Sequence, residues 1–201
     1  VAWQINDTWY GDVSRYGGNF IKDPLLPHEY NFVSHGDYTN CGYDRGHLVR
    51  SKERTKTKED NVSTFYLTNT YPQTPELNRG PWLKLEMYCE QLCTEKNKEL
   101  YVYAGGIFVS NNTLCNRNKV CIPDTCYKII CVLDKNQSIE NINKETDIIA
   151  VAMPNTNGIR SHSWEQYITT VRKIENSTSY DFFSNIPPKV QEQIETKEYT
   201  K

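Results

Sequence analysis

Five short runs rich in Val, Ile and Tyr, at 1–5, 64–70, 100–109, 127–134 and 147–153, constrain this chain more than any other feature. Most are bounded by Asn, Asp, Gly or Pro, so each reads as a strand that stops at a turn, and together they predict a largely antiparallel sheet. Two helices are legible beside it. One carries an apolar stripe through Trp82, Leu85, Cys89, Leu92 and Cys93, the other through Trp164, Tyr167, Ile168, Val171 and Ile174. Thr74-Pro75 supplies an N-cap and a first-turn proline for the first helix. Ser163 with Gln166 forms a capping box for the second. Pro81 falls inside the first helix and removes a backbone donor, so the turn carrying Asn78 is expected to be irregular. The fold class is therefore α+β, a central antiparallel sheet flanked by helices.

With 201 residues, 37% of them hydrophobic and no repeat or low-complexity linker, the expected organisation is one domain over 1–201. No apolar stretch approaches the roughly 18 residues of a membrane-spanning helix, which excludes that class. The chain opens on Val1-Ala2-Trp3-Gln4-Ile5, without an initiator Met or a basic leader, so any targeting segment is expected to have been removed already. Seven cysteines are many for a reduced cytosolic protein, and the spacing of Cys115, Cys121, Cys126 and Cys131 lacks the paired knuckles of a zinc site. Disulfides are expected, with one cysteine left over. Sequons at Asn6, Asn61, Asn111, Asn136 and Asn176 agree with an extracellular location, although an Asn-rich chain makes some by chance.

A net charge of −2 means that any attraction for a polyanion must be local. Between Arg45 and Lys58 the cations Arg45, Arg50, Lys52, Arg54, Lys56 and Lys58 face the single acid Glu53. Such a run is commonly just a solvated face, but here His47 sits within it. His47 stands in Asp44-Arg45-Gly46-His47. His28, His35 and His162 have no comparable neighbours and read as structural residues. Downstream, Asn69, Pro72-Gln73, Asn78 and Glu86 bring an amide and a carboxylate onto one helical segment.

This combination resembles the DNA/RNA non-specific endonucleases of the ββα-metal (His-Me finger) superfamily, the group of Serratia-type nuclease and its cyanobacterial relatives. The resemblance starts at Val1-Ala2-Trp3-Gln4. It passes through Asp44-Arg45-Gly46-His47, Arg54-Thr55-Lys56, Asn69, Pro72-Gln73, Asn78 and Leu85-Glu86, and ends at Tyr180-Asp181-Phe182-Phe183-Ser184-Asn185. It implies a ββα-metal motif and Mg²⁺-dependent hydrolysis of DNA and RNA to 5′-phosphate ends, with Mn²⁺ as a substitute ion. His47 would be the general base, its unperturbed pKa near 6.5 leaving it neutral at pH 7. Asn78 would bind hydrated Mg²⁺, an ion that keeps most of its waters, and Glu86 would hold metal-bound water. Arg45 would face the phosphate as a permanent cation, with Arg15 as a further phosphate contact. Arg50, Arg54 and Asn69 complete the expected substrate-binding set, Asn69 by shaping the site. No membrane partner is expected.

Met87 and Glu90 depart from the family pattern, which has an Asp and an Arg at those places. An anion at position 90 is expected to oppose a substrate phosphate unless it faces a cation such as Lys84. It also motivates an alternative function, a catalytically weakened nucleic-acid-binding homologue. A third class, a hydrolase using Cys41 as nucleophile with His47, would require a free Cys41 thiol.

Overall fold

The computed structural model describes residues 1–30 and 32–200. Its main sheet has five antiparallel strands in the order β1 (Ala2–Ile5), β4 (Lys98–Ile107), β5 (Thr125–Asp134), β6 (Asp147–Pro154) and β7 (Ile168–Thr169). A two-stranded ribbon, β2 (Asp44–His47) against β3 (Thr70–Gln73), stands apart from it. The central strand β5 is apolar on both sides because both faces of the sheet are covered.

On one face, Val102, Cys126, Ile130, Ile149 and Met153 pack against Leu77, Trp82, Leu85 and Cys89 from α2 (Pro75–Leu77), the following turn and α3 (Leu83–Thr94). On the other, Ile129, Cys131, Leu133 and Ile148 pack against Val171 and Ile174 of α4 (Val171–Thr178) and Ile194 of α5 (Pro188–Thr196). A short helix, α1 (Lys58–Ser63), leads into the turns before β3. None of the described helices is long and apolar enough to cross a membrane.

Four of the five expected strands are present, close to their expected bounds. The run at 64–70 is not a strand. It forms turns, a single bridge from Tyr66 to Ile21 and a 3-10 helix, Leu67–Asn69, and the strand itself begins at Thr70. Asn69 explains the shift, because its side chain accepts from Val49 N and donates to Val49 O and Thr64 O, at 2.8–2.9 Å, closing the backbone into a turn.

The second helix also differs. Trp164–Tyr167 is 3-10, Ile168–Thr169 extends to pair with Val151 and Ala150, and the α-helix starts at Val171 with Thr170 as its cap. Ser163 Oγ bonds Glu165 Oε2 instead of capping. A β-branched run beside an unpaired sheet edge gains more from the ladder than from continuing the helix.

The first helix behaves as its proline requires. Thr74 caps α2, five residues Asn78–Trp82 form a π turn around Pro81, and α3 follows. Gly80 leaves the helical region there, at φ −110° and ψ −118°. Its α-carbon passes so close to the Arg160 backbone that a Cβ would lie 2.8 Å from Arg160 Cα.

Among the described residues one disulfide forms, Cys41–Cys115. Cys89, Cys93, Cys126 and Cys131 are buried thiols, and Cys121 is an exposed one, so the expectation of three bridges is corrected. Cys126 and Cys131 are five residues apart on β5 and point to opposite faces of the sheet, where they fill separate cores as small apolar groups.

Candidate active site

In the β2–β3 ribbon, Gly46 pairs with Tyr71 and His47 with Thr70. Alternation along β2 puts Arg45 and His47 on one face and Asp44 and Gly46 on the other. The His47 ring lies 5.0 Å from both the Phe20 and Phe65 rings, and the Arg15 guanidinium rests 4.7 Å above Phe65. Burial, and then the charge of Arg15, hold the His47 imidazole down to about 3, so the ring is neutral at physiological pH. Its Nε2 is buried and has no hydrogen-bond partner among the described residues. An orphaned acceptor of this kind is costly in a packed interior and marks a place where a further group belongs.

The other face of β2 positions Asn78. Asp44 Oδ2 accepts from Asn78 Nδ2 at 2.8 Å, and both Asp44 oxygens accept from Arg79. With its nitrogen committed, the Asn78 amide has Oδ1 left for a cation. Two turns on, Glu86 is buried, with Oε1 3.4 Å from Lys128 Nζ and Oε2 3.7 Å from Arg50 Nε. Burial raises the Glu86 carboxyl while Lys128, and then Arg50, work to keep it ionised. One amide oxygen and one carboxylate are hard oxygen donors, few in number, which is the set that suits a strongly hydrated Mg²⁺. The residues present therefore fit such an ion.

The expected arginines divide. Arg15 is within electrostatic range of His47, Glu86 and Arg50, and Arg50 Nε is 3.7 Å from Glu86 Oε2. Arg50 ion-pairs with Glu90 at 2.8 Å, so the local cation that Glu90 faces is Arg50 and not Lys84. Lys84 instead donates to the carbonyls of Arg160, Ser161 and His162.

Arg45 donates to His35 O at 2.6 Å and to Thr39 Oγ1, with its guanidinium over the Tyr38 ring. Arg54 is engaged elsewhere. It donates to Gln4 O and Glu53 O and stacks 4.2 Å from Trp9, tying the ribbon's exit to β1. Asn69 braces the chain just after His47, where Leu48 N also donates to Asn69 O. Cys41 is in the disulfide, so it is not available as a nucleophile.

Sequence reasoning passed over Lys128, a fully buried charge beneath Glu86. The available signal was a lone cation inside the otherwise apolar run 126–133 of that strand.

The model of the DNA/RNA non-specific endonuclease family matches residues 1–189. A nuclease of Nostoc sp. is 42% identical over 98% of this chain and 70% of its own length. Mitochondrial endonuclease G of Bos taurus is 26% identical over 88% of this chain, which spans 59% of that protein. The solved complex of EndoG with EndoGI superposes with a TM-score of 0.77 at 22% identity, covering 94% of this chain and 79% of that one, a likeness of fold. An antiparallel sheet flanked by helices, a ribbon-and-helix unit carrying the His-Asn-Glu set, and a family match over nearly all of its length mean that this chain belongs to the DNA/RNA non-specific endonuclease family.

Proposed function

We propose that this chain is a Mg²⁺-dependent, sugar-non-specific endonuclease domain over 1–201 that hydrolyses DNA and RNA to 5′-phosphate ends and works outside the cell. The observation that carries the reading is His47, neutral, enclosed by Phe20 and Phe65, with an unpartnered Nε2 beside the Arg15 cation. A neutral imidazole can take the proton of an attacking water as it adds to phosphorus. Burial first, and then the Arg15 charge, hold the free imidazole well below its ordinary basicity, and an arriving phosphodiester anion would offset the Arg15 part of that depression. Asn78 and Glu86 would hold Mg²⁺, which when bound supplies Lewis-acid stabilisation of the phosphate and its leaving oxygen. Arg15, Arg45 and Arg50 offer charge to the phosphate without reading a base, which accords with a broad substrate range. The Cys41–Cys115 bridge supports an oxidising compartment.

Cleavage of plasmid DNA and of RNA by the wild type and by His47→Ala, with Mg²⁺ and then with EDTA, tests this. The variant is expected to lose roughly 10²–10⁴ in rate while largely keeping its affinity for nucleic acid. Wild-type turnover in His47→Ala, or cleavage indifferent to EDTA, refutes the assignment.

A further inference from the structure

Lys128 is the one buried charged residue in a strand otherwise facing two apolar cores, and its side chain is 2% exposed. Its neighbours form a closed set. Glu86 Oε1 lies 3.4 Å from Nζ, the Trp82 ring centre 4.3 Å and the Trp3 ring centre 5.6 Å. Glu53, the other buried acid whose charge bears on Lys128, is tied up separately by Trp3 Nε1 at 3.0 Å.

Burying an ammonium in this way is rarely the most stable choice. A hydrophobic side chain of similar volume commonly does as well or better, so stability alone does not account for Lys128. Its position does. Glu86 is gripped at Oε1 from the sheet side by Lys128 and at Oε2 by Arg50, which is more exposed and shared with Glu90. A bound phosphate would compete with these carboxylates for Arg50, whose side chain is 20% exposed. Lys128 is anchored in the middle of a five-stranded sheet and cannot leave.

We propose that Lys128 is a positioning residue for the metal centre. On this reading it keeps the Glu86 carboxylate fixed in one orientation when substrate draws Arg50 away. The proposal rests on the assignment of Glu86 to the ion. Lys128 never touches substrate. It acts through Glu86 alone, and this separates it from a residue that merely supports the fold.

The test is calorimetric titration of the metal-free chain with Mn²⁺, without nucleic acid, alongside thermal unfolding. Lys128→Met is expected to weaken Mn²⁺ binding by about 10-fold or more, the usual consequence of removing a group that orients a ligand. Glu86→Gln is expected to weaken it similarly. The double variant should bind no more weakly than Glu86→Gln alone, because Lys128 then has nothing left to position.

If Lys128→Met does not fold, Lys128→Gln carries the same expectation. The double variant removes both buried charges together and remains the decisive comparison. Wild-type Mn²⁺ affinity in a folded Lys128 variant, or an added loss on top of Glu86→Gln, overturns the proposal. Unchanged affinity in Glu86→Gln overturns the underlying assignment of Glu86 and is recognisable as that separate failure.

Discussion

Gly46 sits between the arginine and the histidine of the β2 strand, and replacing it with alanine tests how tightly the ribbon is built. A Cβ there would lie 2.0 Å from Gln73 Oε1, 2.4 Å from its Cδ and 2.7 Å from its Cγ. Ordinary contact begins near 3.4 Å, so Gln73 must retreat by over an ångström. Gln73 is fully buried, so it has no solvent to retreat into. The alternative is that β2 itself moves, carrying His47 with it. Overpacking of this kind costs about 1–3 kcal/mol, which for a chain of this size lowers Tm by roughly 2–12 °C. A displacement of about 1 Å at His47 would cost on the order of 10² in kcat. The assay is a double-mutant cycle of Gly46→Ala with Gln73→Ala, read by thermal unfolding and by DNA cleavage. In the Gln73→Ala background most of the Gly46→Ala penalty should vanish, leaving a coupling energy of at least about 1 kcal/mol. Additive losses, or a Gly46→Ala protein with wild-type Tm and kcat, would show that the contact with Gln73 is not what excludes a side chain at position 46.

Two further outcomes follow from the charges. Arg50→Gln should flatten the dependence of log K on log[salt] for duplex DNA by about 0.9, the contribution of one phosphate contact. Arg54→Gln should leave that slope alone and lower Tm instead, because its guanidinium is spent on Gln4 O and Glu53 O; equal slope changes in filter-binding titrations would contradict this division. Acid should weaken the fold through His47. Its imidazole titrates near 3 in the native state and near 6.5 when free, so the unfolded chain binds a proton that the native chain refuses in between. The stability is full above about 6.5 and is lost as pH falls through that window. Denaturant titrations should show wild type losing roughly 1–2 kcal/mol more than His47→Phe between pH 6.5 and 5, and parallel losses would remove His47 as the cause.

The sequence alone determined the parts whose causes are local or chemical. Turn residues around apolar runs marked four strands of the main sheet, and Pro81 marked the break that sets Asn78 apart from α3. His47, Asn78 and Glu86 could be singled out because the motifs that carry them resemble those of the family to which the chain belongs. What lay outside its reach depends on partners distant along the chain. The Ile168–Thr169 segment left its helix because β6 offered it an unpaired edge, which no local periodicity encodes. Cys126 and Cys131 cannot bond to each other because the sheet turns them to opposite faces, so that being near in sequence put them in different cores. The cation that Glu90 faces is Arg50, forty residues earlier in the chain, a partner that no local pattern names. Lys128 read as one polar letter in a strand, and only the packing of α3 over the sheet set its ammonium beneath Glu86, because a buried charge takes its meaning from the counter-charge that the fold brings to it.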